Sequence, residues 1–156
     1  MEKTGKVLIV DDDDSVRIML QAALSAHVEV TLASSGESGL IRALQNHYDV
    51  ILLDLVMPGV DGREFLRRFR EEKPKARTVI LILSGMAATT RFSSAEVHAV
   101  LPKPFDLSQI VRIVSQTANA LANQEGTEVG EETARLIRDS MKKPEPVGDD
   151  DPDRVN

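Results

Sequence analysis

Short apolar runs alternate with segments of helical period along most of the chain. Val7-Leu8-Ile9-Val10, Val50-Ile51-Leu52-Leu53 and Val79-Ile80-Leu81-Ile82-Leu83 are uninterrupted, the pattern of strands buried on both faces. Val28-Glu29-Val30-Thr31-Leu32 alternates instead and predicts a half-exposed edge strand. Ala99-Val100-Leu101-Pro102 is a shorter fifth run. Val16, Met19, Leu20, Ala23 and Leu24 share one helical face, so a first helix starts near Asp14 or Ser15, either of which can cap it. Residues 36–46 predict a second helix facing inward with Leu40 and Leu44. Residues 62–72 predict a third, anchored by Phe65, Leu66 and Phe69 and limited by Pro74. A last one covers 106–122, with Leu107, Ile110, Val111, Val114, Ala118 and Leu121 as its buried stripe. This ordering is that of an α/β domain with a parallel sheet.

Two stretches depart from the pattern. Residues 84–103 hold no clear apolar period, so a helix there is short or irregular. After residue 122 the composition shifts to Gly, Glu and Thr, which marks a linker. Residues 131–143 carry acids first and lysines last, which suits a helix dipole. The apolar face of that helix (Ala134, Ile137, Met141) is thin, and from Pro144 onward the composition is that of a disordered segment. The expected division is a domain over 5–122 and an acidic tail over 123–156.

The chain has 156 residues, enough for one domain with a sizeable core. It has no cysteine, which excludes disulfides and thiolate metal sites. The start lacks a signal-peptide core and no stretch is long enough to span a membrane, so a soluble cytoplasmic protein is expected. The net charge of −6 sits mostly in the tail: residues 1–122 carry 14 basic and 15 acidic side chains, residues 123–156 carry 5 and 10. A nearly neutral domain with an acidic tail does not favour general nucleic-acid binding. The basic stretch of Arg63, Arg67, Arg68, Arg70, Lys73, Lys75 and Arg77 reads as a solvated face, because Phe65 and Phe69 are spaced for the core.

Four of the apolar runs end on a reactive side chain. The first runs into Asp11 and Asp12, the third into Asp54, the fourth into Ser84 and the fifth into Lys103. In an open parallel sheet the carboxyl ends of the strands line one edge, where ligands bind. Three carboxylates, a hydroxyl and an ammonium converging there suit a divalent cation and a phosphoryl group. An acidic run such as residues 11–14 is commonly a solvated turn with a helix cap. Here two of its acids abut a fully apolar strand, where buried like charges need a cation. Asp54 directly follows Ile51-Leu52-Leu53, and a carboxylate there is costly to bury without a use. Pro58-Gly59 makes a tight turn after it and Asp61-Gly62 opens the next helix.

VLIVDDD, DLVMPGVDG, LSG after the fourth strand and KPF after the fifth, in this order, closely resemble the receiver domain of bacterial two-component response regulators over residues 5–122. The resemblance implies a flavodoxin-like fold, a doubly wound five-stranded parallel sheet in the order 2-1-3-4-5 with helices on both faces. It implies that Asp54 is the phospho-acceptor and that Asp11 and Asp12 hold Mg²⁺, Asp12 directly and Asp11 through water. The Val56 main-chain carbonyl matches a third ligand position. Ser84 matches a hydroxyl that moves onto the phosphoryl group, Lys103 matches a lysine that pairs with that group, and the Lys103–Pro104 bond matches a cis peptide of the family. The implied role is a phosphorylation-controlled signalling module rather than a turnover enzyme. Its phosphate would come from a histidine kinase or phosphotransfer protein, and phosphorylation would change a docking face for a protein partner or a second copy.

Three departures from that family are visible. Val100 stands where the family usually has an aromatic residue, the 84–103 segment is short, and nothing after residue 122 resembles an output domain. Val56 and Met86, both apolar, match positions that flank the path of a hydrolytic water, which implies a long-lived phosphorylated form. An alternative is a Mg²⁺-dependent phosphohydrolase of the haloacid-dehalogenase type, with Asp11 as nucleophile. It lacks a second acidic motif late in the chain and a cap domain. A second alternative is a degenerate receiver serving as a scaffold. A dinucleotide enzyme is not supported, because the turn after the first strand is acidic rather than glycine-rich.

Overall fold

A computed structural model describes residues 2–85, 92, 97–124 and 131–141. Strands β1 (Lys6–Val10), β2 (Glu29–Ala33), β3 (Val50–Asp54), β4 (Val79–Ser84) and β5 (Ala99–Pro102) form one sheet in the order β2-β1-β3-β4-β5. Every pairing is parallel, with Val10 opposite Leu53 and Ser84 opposite Pro102. The flavodoxin-like expectation therefore holds, including the edge position of β2.

Strand side chains alternate between two cores. Val7, Ile9, Val50, Leu52, Leu81 and Leu101 face α1 (Asp14–Leu24) and α4 (Leu107–Asn123). Leu8, Val10, Ile51, Leu53, Ile80 and Ile82 face α2 (Gly36–Gln45) and α3 (Gly62–Glu72). A strand covered on both sides needs apolar residues at successive positions, which is why β1, β3 and β4 read as continuous runs. Val100 is half-buried on the α2–α3 side.

Each of these four helices begins on a side-chain cap. Asp13, Ser35, Asp61 and Asp106 accept from backbone N–H groups of the first turn. The cap of α1 is thus Asp13, not Asp14 or Ser15: its Oδ1 accepts from Ser15 N at 2.8 Å and Val16 N at 3.3 Å. Met19 also departs from expectation. It is exposed, because Leu20 and Leu24 alone of the α1 stripe reach the closed core, with Val16 and Ala23 partly covered. Asn119 and Asn123, one turn apart on α4, fasten the chain leading into β1. Asn119 Oδ1 accepts from Gly5 N at 2.7 Å, and Asn123 pairs with both backbone groups of Lys3.

Helix α5 (Glu131–Met141) packs on α4. Its contact uses Thr133 and Ile137, both buried, and the Gln124 amide donates to Thr133 Oγ1 at 3.1 Å. Arg77 donates to the Leu121 and Gln124 carbonyls, closing the α4 end next to this contact. The thin apolar face expected of this helix is therefore enough to seat it, with Thr133 added and the Met141 side chain outside the described residues. The expected irregular helix within 84–103, the position of Met86 and the tail from residue 142 also lie outside them. Among the described residues, no helix is long and apolar enough to cross a membrane.

Candidate functional site

The sheet brings Asp11, Asp12, Asp54, Ser84 and Lys103 to its carboxyl edge. Asp11 follows β1 and is fully buried, while Asp12 points to solvent. Asp54 closes β3 and is 7% exposed. Ser84 closes β4, and its carbonyl accepts from Lys103 N at 2.9 Å, which fixes where the lysine leaves the sheet. The Lys103–Pro104 bond is cis. Lys103 Nζ lies 3.0 Å from Asp11 Oδ2 and 3.3 Å from Asp54 Oδ1.

Turn chemistry holds Asp54 in place. Gly59, at φ 73°, adopts the left-handed conformation that closes the loop after β3. A Cβ on Gly62 would stand 2.8 Å from the Asp54 carbonyl, so only glycine lets α3 begin this close to the strand. The Val56 N–H bonds the Asp54 carboxylate, while the Val56 side chain is 69% exposed.

The electrostatics follow from burial. The Asp54 carboxyl is pushed up to about 6, first by burial and then by the Asp11 charge, against the pull of Lys103 and the Val56 N–H. Burial pulls Lys103 down, but its hydrogen bond to Asp11 and the charges of Asp11 and Asp54 outweigh that, and it ends above the usual lysine range. Carboxylate oxygens of Asp11, Asp12 and Asp54 lie within 4.8 Å of one another. Three carboxylates against one ammonium leave negative charge in excess. An all-oxygen donor set with that excess suits a small hard divalent cation.

Sequence reasoning passed over Arg17. Its guanidinium donates to the Asp11 carbonyl at 2.6 Å and pairs with Asp14, so it braces the acidic turn from behind. Its spacing from Asp14 on a helix was the available signal. Asp13 likewise serves the turn, accepting as cap and donating its N–H to Asp11 Oδ1 at 2.9 Å.

An open parallel sheet in this strand order, with an acidic cluster and a lysine at its carboxyl edge, defines a doubly wound α/β domain with an all-oxygen candidate cation site. The chain belongs to the response regulator receiver domain family, whose sequence profile matches residues 7–115. It is 33% identical over 135 residues to the transcriptional regulatory protein ResD of Bacillus subtilis, a match covering 79% of this chain and 55% of ResD. The chain thus spans about half the length of that relative. Among solved structures it resembles the chemotaxis protein CheY4 of Vibrio cholerae (30% identity, TM-score 0.62, covering 74% of this chain and 99% of CheY4). It also resembles the response regulator TrrA of Thermotoga maritima, solved with Mg²⁺ and BeF (27% identity, TM-score 0.63, covering 72% of this chain and 98% of TrrA).

Proposed function

We propose that this chain is a phosphorylation-controlled switch in which Asp54 accepts a phosphoryl group. The observation that carries this is the bridge of Lys103 between Asp11 and Asp54 at the mouth of the acidic cluster. Asp12 would hold Mg²⁺ directly and Asp11 through water, with Asp54 and the Val56 carbonyl completing the set. Bound there, the cation would offset the negative charge that the cluster and a phosphoryl group share.

In the transfer, an Asp54 carboxylate oxygen attacks phosphorus. The new O–P bond forms as the donor's P–N or P–O bond breaks, and the bonding pair leaves with the donor. Asp54 attacks in its ionised form, which its raised pKa still supplies at neutral pH. Lys103 and the Ser84 hydroxyl face the oxygens on which charge accumulates. The donor is a histidine kinase or phosphotransfer protein, and the phosphorylated form presents an altered docking face within the 5–122 domain. The reading includes slow self-dephosphorylation at most and action in the cytoplasm.

Incubation with acetyl phosphate and Mg²⁺ followed by intact-mass analysis tests this. One added phosphoryl group, lost on chelation or in Asp54→Asn, is expected. A label that is independent of Mg²⁺ would contradict the reading.

A further inference from the structure

The first turn of α3 links the Asp54 strand end to an aromatic side chain far along the sequence. Gly62 N donates to the Leu55 carbonyl at 2.9 Å, and a Cβ on Gly62 would stand 2.8 Å from the Asp54 carbonyl. The helix thus starts against the end of β3. Arg63 is the next residue, one Cα step of about 3.8 Å further on. It is exposed, and its guanidinium carbon lies 4.3 Å from the centre of the Phe92 ring. Phe92 is half-buried against the α2–α3 core, as are Leu55 and Val60 from the loop that leaves Asp54.

The strength of this contact decides what it can do. A cation over an aromatic face at an exposed site favours the closed arrangement only about two- to fivefold. A helical side chain also leans toward the N-terminus of its helix. For α3 that end lies at the carboxyl edge of the sheet, beside Asp54. Arg63 therefore leaves the backbone toward the acidic cluster while its guanidinium rests on Phe92. A phosphoryl group on Asp54 would add negative charge and three strong acceptor oxygens on that side. Charge-assisted hydrogen bonds from a guanidinium to such oxygens are worth more than about tenfold, so they outcompete the ring.

We propose that Arg63 couples the state of Asp54 to Phe92. It holds the ring against the α2–α3 core in the unphosphorylated protein and leaves it for the phosphoryl group after transfer, so the docking face changes at Phe92. The inference rests on the phosphorylation reading above and names residues of the face that reading invokes.

The chain has no tryptophan, so Phe92→Trp places a single indole at this contact. Acrylamide quenching of its emission is measured on the full chain with Mg²⁺, before and after beryllofluoride, a mimic of the phosphoryl group. Intact-mass analysis after acetyl phosphate is run on the same protein. Quenching should rise about twofold, the scale on which the closed contact is favoured. With Arg63→Met added, quenching should be high from the start and respond by less than half as much. Arg63→Lys, which keeps the cation, should restore part of the response. Chymotrypsin gives a second reading on the wild type and needs no variant. Phe65 and Phe69 are closed in the core, so cleavage after Phe92 is compared with cleavage after the half-buried Phe105. The former should rise about threefold with beryllofluoride, in step with the population of the open form, and the latter should not. A labelled Asp54 with no change at residue 92 by either reading, or a full response in Arg63→Met, would overturn the coupling and leave the phosphorylation reading standing. The absence of any label would overturn both.

Discussion

Lys103 Nζ stands between Asp11 Oδ2, at 3.0 Å, and Asp54 Oδ1, at 3.3 Å, so a single ammonium pairs with two buried carboxylates from different strands. Asp11 is supplied by β1 and Asp54 by β3, with Lys103 reaching across from the end of β5. The contact therefore holds three of the five strand ends together as well as setting the charge at the site.

Removing that ammonium leaves two like charges in the protein interior. Lys103→Met should lower stability at pH 7 by about 1–3 kcal/mol, below the fully buried case because the lysine is partly exposed. The cost should shrink at pH 5, where Asp54 is largely protonated. Urea unfolding at both pH values in the absence of divalent cations measures it, and an equal loss at the two would argue against a charge origin.

Asp54 itself should oppose folding above its native pKa. An unfolded aspartate titrates near 3.8 and the native one near 6, so between those values the native state binds more protons. Stability contributed by this group therefore falls as pH rises from about 4 to 6, and the full penalty is present at pH 7. Asp54→Asn should add about 1–2 kcal/mol at pH 7 without Mg²⁺, after allowance for solvent screening. The gain should vanish below about pH 4. Unfolding curves of the pair across this range test the sign. A second check is Mg²⁺, which should raise the melting temperature of the wild type more than that of the variant.

Asn119→Ala should cost about 1–3 kcal/mol without changing the acidic site. Its amide accepts from Gly5 N and donates to the His27 carbonyl, so one side chain serves both the entry to β1 and the α1–β2 turn. Thermal unfolding reads the loss, and unchanged Mg²⁺ affinity would verify that it is local.

Most of this arrangement was legible in the chain itself. The continuous runs identify β1, β3 and β4 because two helix layers leave no solvent face, and the alternation of 28–32 marks the edge. Asp11, Asp54, Ser84 and Lys103 were legible because the ends of parallel strands share one edge. The cap of α1 was misplaced by one residue because four successive aspartates all have capping side chains, and only the backbone turn selects Asp13. Met19 misled because one helical face is wider than the strip the sheet covers. The seating of α5 rests on Thr133, a polar residue that burial pattern alone does not nominate. Lys73, read as part of a solvated basic face, is instead half-buried and donates to the Ala43 and Asn46 carbonyls, acceptors 30 and 27 residues away that no local pattern reveals.

The Val56 side chain beside Asp54 is exposed and apolar, so it cannot itself orient a water by hydrogen bonding. Val56→Asn should therefore shorten the lifetime of the phosphorylated form severalfold. Decay of labelled protein after removal of the phosphodonor follows this, and an unchanged rate would count against water positioning from residue 56.

The most direct test of the central claim is where the phosphoryl group resides. The full chain is labelled with acetyl phosphate and Mg²⁺, and the modified peptide is identified by mass spectrometry in wild type, Asp54→Asn and Asp11→Asn. The account predicts a single label on Asp54, absent from Asp54→Asn and reduced but still on Asp54 in Asp11→Asn. Undiminished labelling of Asp54→Asn, or a label on Asp11 in the wild type, would contradict it.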